Sequence, residues 1–272
     1  MPKTSDACLF VTALFGAGLL LVGSLWACRP AAAAELDEYQ PGKFVDGDQT
    51  LLYRLLSPKQ REPGKKYPLV LFLHGAGERG DDNQAQLKHV VGIFVTPENR
   101  EKYPCFVLAP QCPAGRKWAE VDWSAPTHRQ PENPSAPMAL TLKLIDQLVA
   151  EEPIDPARCY VMGLSMGGYG TWDVLARQPE RFAAAVPMCG GGDETTAERI
   201  AHIPIWNFHG DKDPAVRVER SRRMVEALRA AGSKVKYTEY AGCGHDCWTP
   251  ACKEPELLPW LFSQKKAGDP PR

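Results

Sequence analysis

A mainly parallel α/β sheet with helices on both faces is the architecture this chain predicts, and three observations predict it. Apolar runs of strand length, such as Tyr67-Pro68-Leu69-Val70-Leu71-Phe72-Leu73, lack the in-out alternation of a half-exposed sheet and read as strands buried on both sides. Longer helical stretches separate them, as crossover connections between parallel strands require. A Gly-x-Ser-x-Gly pentapeptide, Gly163 to Gly167, lies between an apolar strand ending at Leu164 and a helix opening at Gly167.

In chain order, Thr50 to Leu56 reads as an early strand, followed by the Tyr67 run and a short buried strand from Cys105 to Ala109. A helix follows from Met138 to Glu151, then the strand through Cys159-Tyr160-Val161-Met162, the helix Gly167 to Arg177 and a strand from Ala184 to Met188. Ile203 to Phe208 and Lys234 to Tyr240 complete the strands, with helices at Val218 to Ala231 and Glu254 to Gln264. Sites in such sheets form at the carboxyl ends of the strands.

Four of those ends carry chemistry. At the pentapeptide the turn is so tight that Gly163 and Gly167 must lack a Cβ, which pushes Ser165 outward at a helix N-terminus. The other role open to Ser165 is a helix cap. His209-Gly210-Asp211-Lys212-Asp213-Pro214 offers two carboxylates at a strand end; Asp213, farther into the loop and before Pro214, is the better acid. Ala241-Gly242-Cys243-Gly244-His245-Asp246 is a flexible loop able to deliver His245 as base. The backbone N–H groups of Ala76, in His74-Gly75-Ala76-Gly77, and of Met166 suit an oxyanion. His74 and His209 read as structural, hydrogen-bonding histidines at strand ends.

These segments resemble the α/β-hydrolases of the phospholipase/carboxylesterase and predicted-peptidase group, related to prolyl oligopeptidases. Leu73 to Asn83, Leu108-Ala109-Pro110-Gln111-Cys112-Pro113, Pro187 to Asp193 and Gly244-His245-Asp246-Cys247-Trp248 extend the likeness across most of the chain. The resemblance implies a serine carboxylesterase with Ser165, Asp213 and His245 as triad, Ala76 and Met166 as oxyanion hole, and neither metal nor organic cofactor. It leaves the substrate open: a short-acyl or aryl ester, free or polysaccharide-linked, is the first reading, and a serine peptidase of prolyl oligopeptidase type the second.

Trp118, Trp123 and Trp248 fall in loops near the expected site and offer indole faces to aryl groups or sugar rings. Glu78, Arg79 and Asp81 read as an ion-pair network shaping the oxyanion loop, with recognition of a polar substrate group as the other role. A metal-binding module built on Cys243, His245, Cys247 and Cys252 is the reading from a different class, but the spacings match no usual zinc pattern.

The chain has 272 residues, 44% hydrophobic, enough for one sizeable core, and a net charge of −1 with no long basic run gives no support for nucleic-acid binding. Ala7 to Cys28 carries no charge, Lys3 precedes it, and Ala31 to Ala34 offers a small-residue cleavage site. A signal peptide over 1–34 with a catalytic domain over 35–272 follows, and with it a periplasmic or extracellular location. A retained membrane anchor and a lipoprotein signal at Leu25-Trp26-Ala27-Cys28, weakened by bulky Trp26, are the other readings of that segment. Seven cysteines follow residue 34, in a compartment that permits disulfides. A bond from the His loop, at Cys243 or Cys247, to Cys112 or Cys189 is expected, whereas Cys105 and Cys112 are separated by an extended strand.

Overall fold

A computed structural model describes residues 36–266; the signal-peptide and membrane-anchor readings lie outside them. Eight strands form one sheet in the order β1-β2-β4-β3-β5-β6-β7-β8. They are β1 Gln40–Asp46, β2 Gln49–Leu56, β3 Tyr67–Leu73, β4 Phe106–Gln111, β5 Ile154–Leu164, β6 Ala184–Met188, β7 Trp206–Gly210 and β8 Lys236–Tyr240. β1 and β2 pair antiparallel, as do β2 and β4, while every pairing from β4 through β8 is parallel. The predicted mainly parallel sheet is therefore observed. β1, which the sequence reading omits, is a mostly exposed edge strand whose residues carry no apolar run.

The longer helices are α2 Ala136–Glu151, α3 Met166–Arg177 and α5 Glu219–Ala230, with shorter α1 Pro97–Lys102, α4 Ala197–Ile200, α6 Trp248–Ala251 and α7 Leu257–Ser263. Thr96 and Ser135 cap α1 and α2 by accepting the N–H groups of Asn99 and Met138. α7 begins at Leu257, after the expected Glu254, because the chain before it turns on three-residue bonds, Glu254 N–H to Ala251 O and Leu257 N–H to Glu254 O, and Pro255 has no N–H to donate.

β3 explains why continuous apolar runs were needed. Leu69, Leu71 and Leu73 pack on one face with Met138 and Ile145 of α2, Trp172 of α3 and Met224 of α5. Val70 and Phe72 pack on the other with Val91, Phe94 and Leu257, Leu258 and Leu261 of α7. Each face thus has its own apolar layer, and a polar residue at any of these positions would be buried without water.

The sheet is unevenly knit. β5 and β6 share five paired positions and β7 and β8 five, but β6 meets β7 in ladder register only at Met188 and Phe208, supported by a bridge between Ala185 and Ile205.

Candidate active site

The carboxyl ends of β3, β5 and β7 and the loop after β8 converge on one cleft. At the end of β5 the chain reverses into α3 through Ser165, whose φ of 54° is left-handed, a conformation non-glycine residues rarely hold. The strain is held by a backbone bond from Ser165 N–H to Met188 O at 2.9 Å. A Cβ on Gly167 would come within 1.8 Å of Leu73 O, and one on Gly163 within 2.2 Å of Gly167 O, so α3 can pack against β3 only through bare backbone. Ser165 occupies the cap position of α3 without a side-chain capping bond. Its hydroxyl is therefore free for another partner.

That partner is His245, whose Nε2 lies 2.9 Å from Ser165 Oγ. On the other side of the ring, Nδ1 lies 2.7 Å from Asp213 Oδ2. With Asp213 as acceptor, Nδ1 carries the proton and Nε2 is left to accept from the serine hydroxyl. The structure thus brings Ser165, His245 and Asp213 into one hydrogen-bonded chain. Burial alone would raise the Asp213 carboxyl, but hydrogen bonds from His209, His245 and the Val216 N–H outweigh it and hold the group well below the usual carboxylate range. Asp213 Oδ1 accepts the N–H groups of Ala215 and Val216 at 2.8 and 2.9 Å, which fixes the carboxylate plane.

Asp211 has a different position. Its Oδ1 accepts the N–H of Gly242 in the loop that carries His245, and Lys212 N–H reaches Cys243 O at 2.9 Å. Gly210 makes this lacing possible, since a Cβ there would lie 2.3 Å from Gly244 O. The acid loop and the His loop are fastened together by backbone.

The loop after β3 forms the opposite wall. His74 is fully buried, with Nδ1 donating to Gly75 O at 2.7 Å and Nε2 accepting from Cys112 N–H at 2.9 Å. Burial holds it neutral, down at about 4. Arg79 donates from Nε to Ala76 O at 2.8 Å and braces the turn from inside. Ala76 begins a 3₁₀ turn and Met166 begins α3, so neither N–H has an acceptor within its own helix. Both residues line the cleft.

The cleft, about 340 Å³, is walled by Leu164, Met166, Tyr169, Val216, Trp123 and Trp248. Trp248 stands edge-on to the His245 ring, with centroids 5.4 Å apart. Glu78 and His89 form a polar corner, His89 Nε2 lying 3.7 Å from Glu78 Oε1. Trp118 is elsewhere: it is fully buried, its indole N–H donates to His74 O at 3.0 Å, and its ring packs on the face of the sheet covered by α2 and α3. The expectation that Trp118 faces substrate is corrected, because that N–H is needed to satisfy a buried strand-end carbonyl. Tyr169 and Val216 were missed. Tyr169 lies one turn after Ser165 on α3, a spacing that puts both on one helix face.

All seven cysteines in the described residues are free thiols, so the expected disulfide from the His loop is not formed. Cys112 is held in the backbone around His74, away from that loop. Cys189 does adjoin the loop, sharing a side-chain hydrogen bond with Cys247, and burial drives its thiol well up in pKa. Nor do Cys243, His245, Cys247 and Cys252 gather as a metal cluster; among the described residues the only potential ligand group is Cys189, Asp213 and His245, two of which already bond each other.

The sequence profile of the phospholipase/carboxylesterase family matches residues 59–253. A solved structure described as a thermostable esterase is similar with a TM-score of 0.80 and 43% identity, covering 86% of this chain and 64% of the other. Poly(3-hydroxyalkanoate) depolymerase C of Paucimonas lemoignei is 31% identical over 153 residues, 54% of this chain and 34% of the depolymerase. An acylaminoacyl peptidase of Pyrococcus horikoshii, at 16% identity and TM-score 0.61, covers 88% of this chain and 44% of its own, and shows the shared fold alone. The chain therefore spans about a third of the depolymerase and just under two thirds of the esterase.

Proposed function

Because this chain belongs to the phospholipase/carboxylesterase family, we propose that it hydrolyses carboxylic esters through an acyl-enzyme on Ser165. The observation that carries this reading is the unbroken hydrogen-bond chain from Asp213 through His245 to Ser165 along the wall of a cleft. His245 takes the serine proton as Oγ attacks the acyl carbon, and Asp213 orients the ring and stabilises its cationic form. The N–H groups of Ala76 and Met166 receive the tetrahedral oxyanion. His245 then returns the proton to the leaving alcohol, and a water activated by the same histidine releases the acid.

A cleft of about 340 Å³ with aromatic walls suits a short acyl or aryl group, packed on Trp123, Tyr169 and Trp248. The alcohol side of the substrate, free or attached to a polysaccharide or polyester, is the less constrained part. The peptidase reading rests on shared fold alone. Residues 35–272 are the proposed catalytic unit, and 1–34 the proposed leader for export to the periplasm or exterior.

Labelling with a fluorophosphonate, followed by peptide mass spectrometry, tests the chemistry. Modification of Ser165 with parallel loss of aryl-acetate hydrolysis is expected; full labelling of another residue, or of none, would overturn the assignment.

A further inference from the structure

Asp213 Oδ2 has a second histidine on it. His209, the penultimate residue of β7, places Nε2 3.2 Å from that oxygen, and both side chains are fully buried. The same Nε2 lies 2.9 Å from Val216 O, which can only accept, so Nε2 carries a proton whatever the charge of the ring. That proton is directed at the Val216 carbonyl, with the Asp213 carboxylate oxygen beside it at 3.2 Å. Nδ1 lies 2.7 Å from Ser221 Oγ on α5, which fixes the ring from behind. Ser221 Oγ in turn lies 3.3 Å from the Asn207 side-chain amide. Exchanging the O and N of that amide, which fill nearly the same volume, makes Asn207 a donor to Ser221 and gives its buried, orphaned Nδ2 a partner.

We propose that His209 is a positioning residue which holds the Asp213 carboxylate and, by sharing its negative charge, lowers the proton affinity of His245. This rests on the ester-hydrolase reading of the same site. The physical reason is competition: a carboxylate that also binds His209 is a weaker partner for the imidazolium of His245. Other groups face this network: the Cys189 thiol after β6, Tyr169 on α3, Cys243 in the His loop and Glu239 on β8. The two thiols and the phenol are pushed upward, first by burial, and stay uncharged at neutral pH. Glu239 is paired with Arg222 at 2.6 Å, which leaves its charge largely answered. His209 and His245 thus meet on one and the same carboxylate oxygen, Asp213 Oδ2.

Replacing His209 with Leu removes the donor at similar volume. The expected result is a rise of roughly 0.5–1 unit in the acid limb of the kcat/KM profile and in the His245 titration followed by imidazole NMR, with kcat down about tenfold and KM little changed. His209→Gln, which restores an N–H donor, brings both readouts back toward wild type. Should the Leu variant fail to fold, Ser221→Ala, which loosens the ring without removing it, is expected to shift His245 the same way by less. An unchanged His245 titration in the folded variants, or a shift that Gln does not reverse, overturns the proposal. The NMR readout needs no turnover, so a wild type inactive on esters would defeat the functional reading while leaving the coupling of His209 to His245 measurable.

Discussion

Asp211 Oδ1 accepts the backbone N–H of Gly242 at 2.6 Å, so this carboxylate serves the shape of the His loop while Asp213, two residues on, serves the histidine itself. The division of labour yields a first prediction. Asp213→Asn loses about a thousandfold or more in kcat on an aryl acetate, because the amide favours the wrong tautomer of His245. Asp211→Asn loses no more than about tenfold, since an amide oxygen still accepts from Gly242. Steady-state kinetics of the two variants decide the matter, and equal losses would mean that the loop anchor matters as much as the acid.

Ser165→Ala should lower ester hydrolysis by at least about a thousandfold while leaving circular dichroism and the thermal midpoint close to wild type. The hydroxyl makes no capping bond to α3, so its removal costs the helix nothing there. Residual turnover near the wild-type rate would place the nucleophile elsewhere.

Esters should be cleaved much faster than amides. An acetyl aryl ester and a proline anilide, compared by kcat/KM at one pH, separate the two readings, and comparable values would favour the peptidase.

Acid should weaken the fold in a defined window. Burial holds His74 at about 4, against an ordinary value of 6.5, and holds half-buried His128 at about 4 as well, helped by Arg220. Between those limits the unfolded chain binds protons that the folded chain refuses, so stability is full above about pH 6.5 and is lost as pH falls toward 4. His74 alone contributes on the order of 3 kcal/mol over that span. The depressed Asp213 carboxyl adds a loss in the same direction, but only below its own unfolded value of about 3.8. Urea midpoints measured from pH 7 to 4.5 should fall, and His74→Gln should flatten the slope; a slope identical to wild type would show that His74 titrates normally.

Much of the architecture was legible because buried parallel strands must be apolar on both faces, and the β3 run states this residue by residue. The site was legible at its strand ends, where Gly163 and Gly167 mark a strand-to-helix turn too tight for a Cβ beside Ser165, and where Gly242 and Gly244 set His245 in a loop without apolar periodicity. The edge strand β1 was illegible, since an exposed antiparallel strand needs no apolar pattern. Trp118 was misread because a loop tryptophan in sequence carries no sign of which way its indole turns. His209 was read as structural for a sound reason, a strand-end histidine with backbone partners; that its Nε2 also reaches Asp213 depends on a turn of four residues closing back on the strand, which no spacing rule contains.

β6 and β7 are joined by one ladder pair, the Ala185–Ile205 bridge and the N–H bonds of Ala185 and Cys189 to Pro204 O and Phe208 O, a thinner seam than those on either side of it. Ser165 belongs to the block built on β3 through β6, whereas Asp213 and His245 travel together on β7, β8 and their laced loops. Thermal breathing along that seam would part the serine from an intact acid-base pair before the apolar layers come apart. Inactivation on warming should accordingly begin as a reversible local event, with amide exchange at Cys189, which donates to Phe208 O across the seam, quickening ahead of exchange within β5. A designer seeking heat tolerance would do better to stitch these two strands than to enlarge the core.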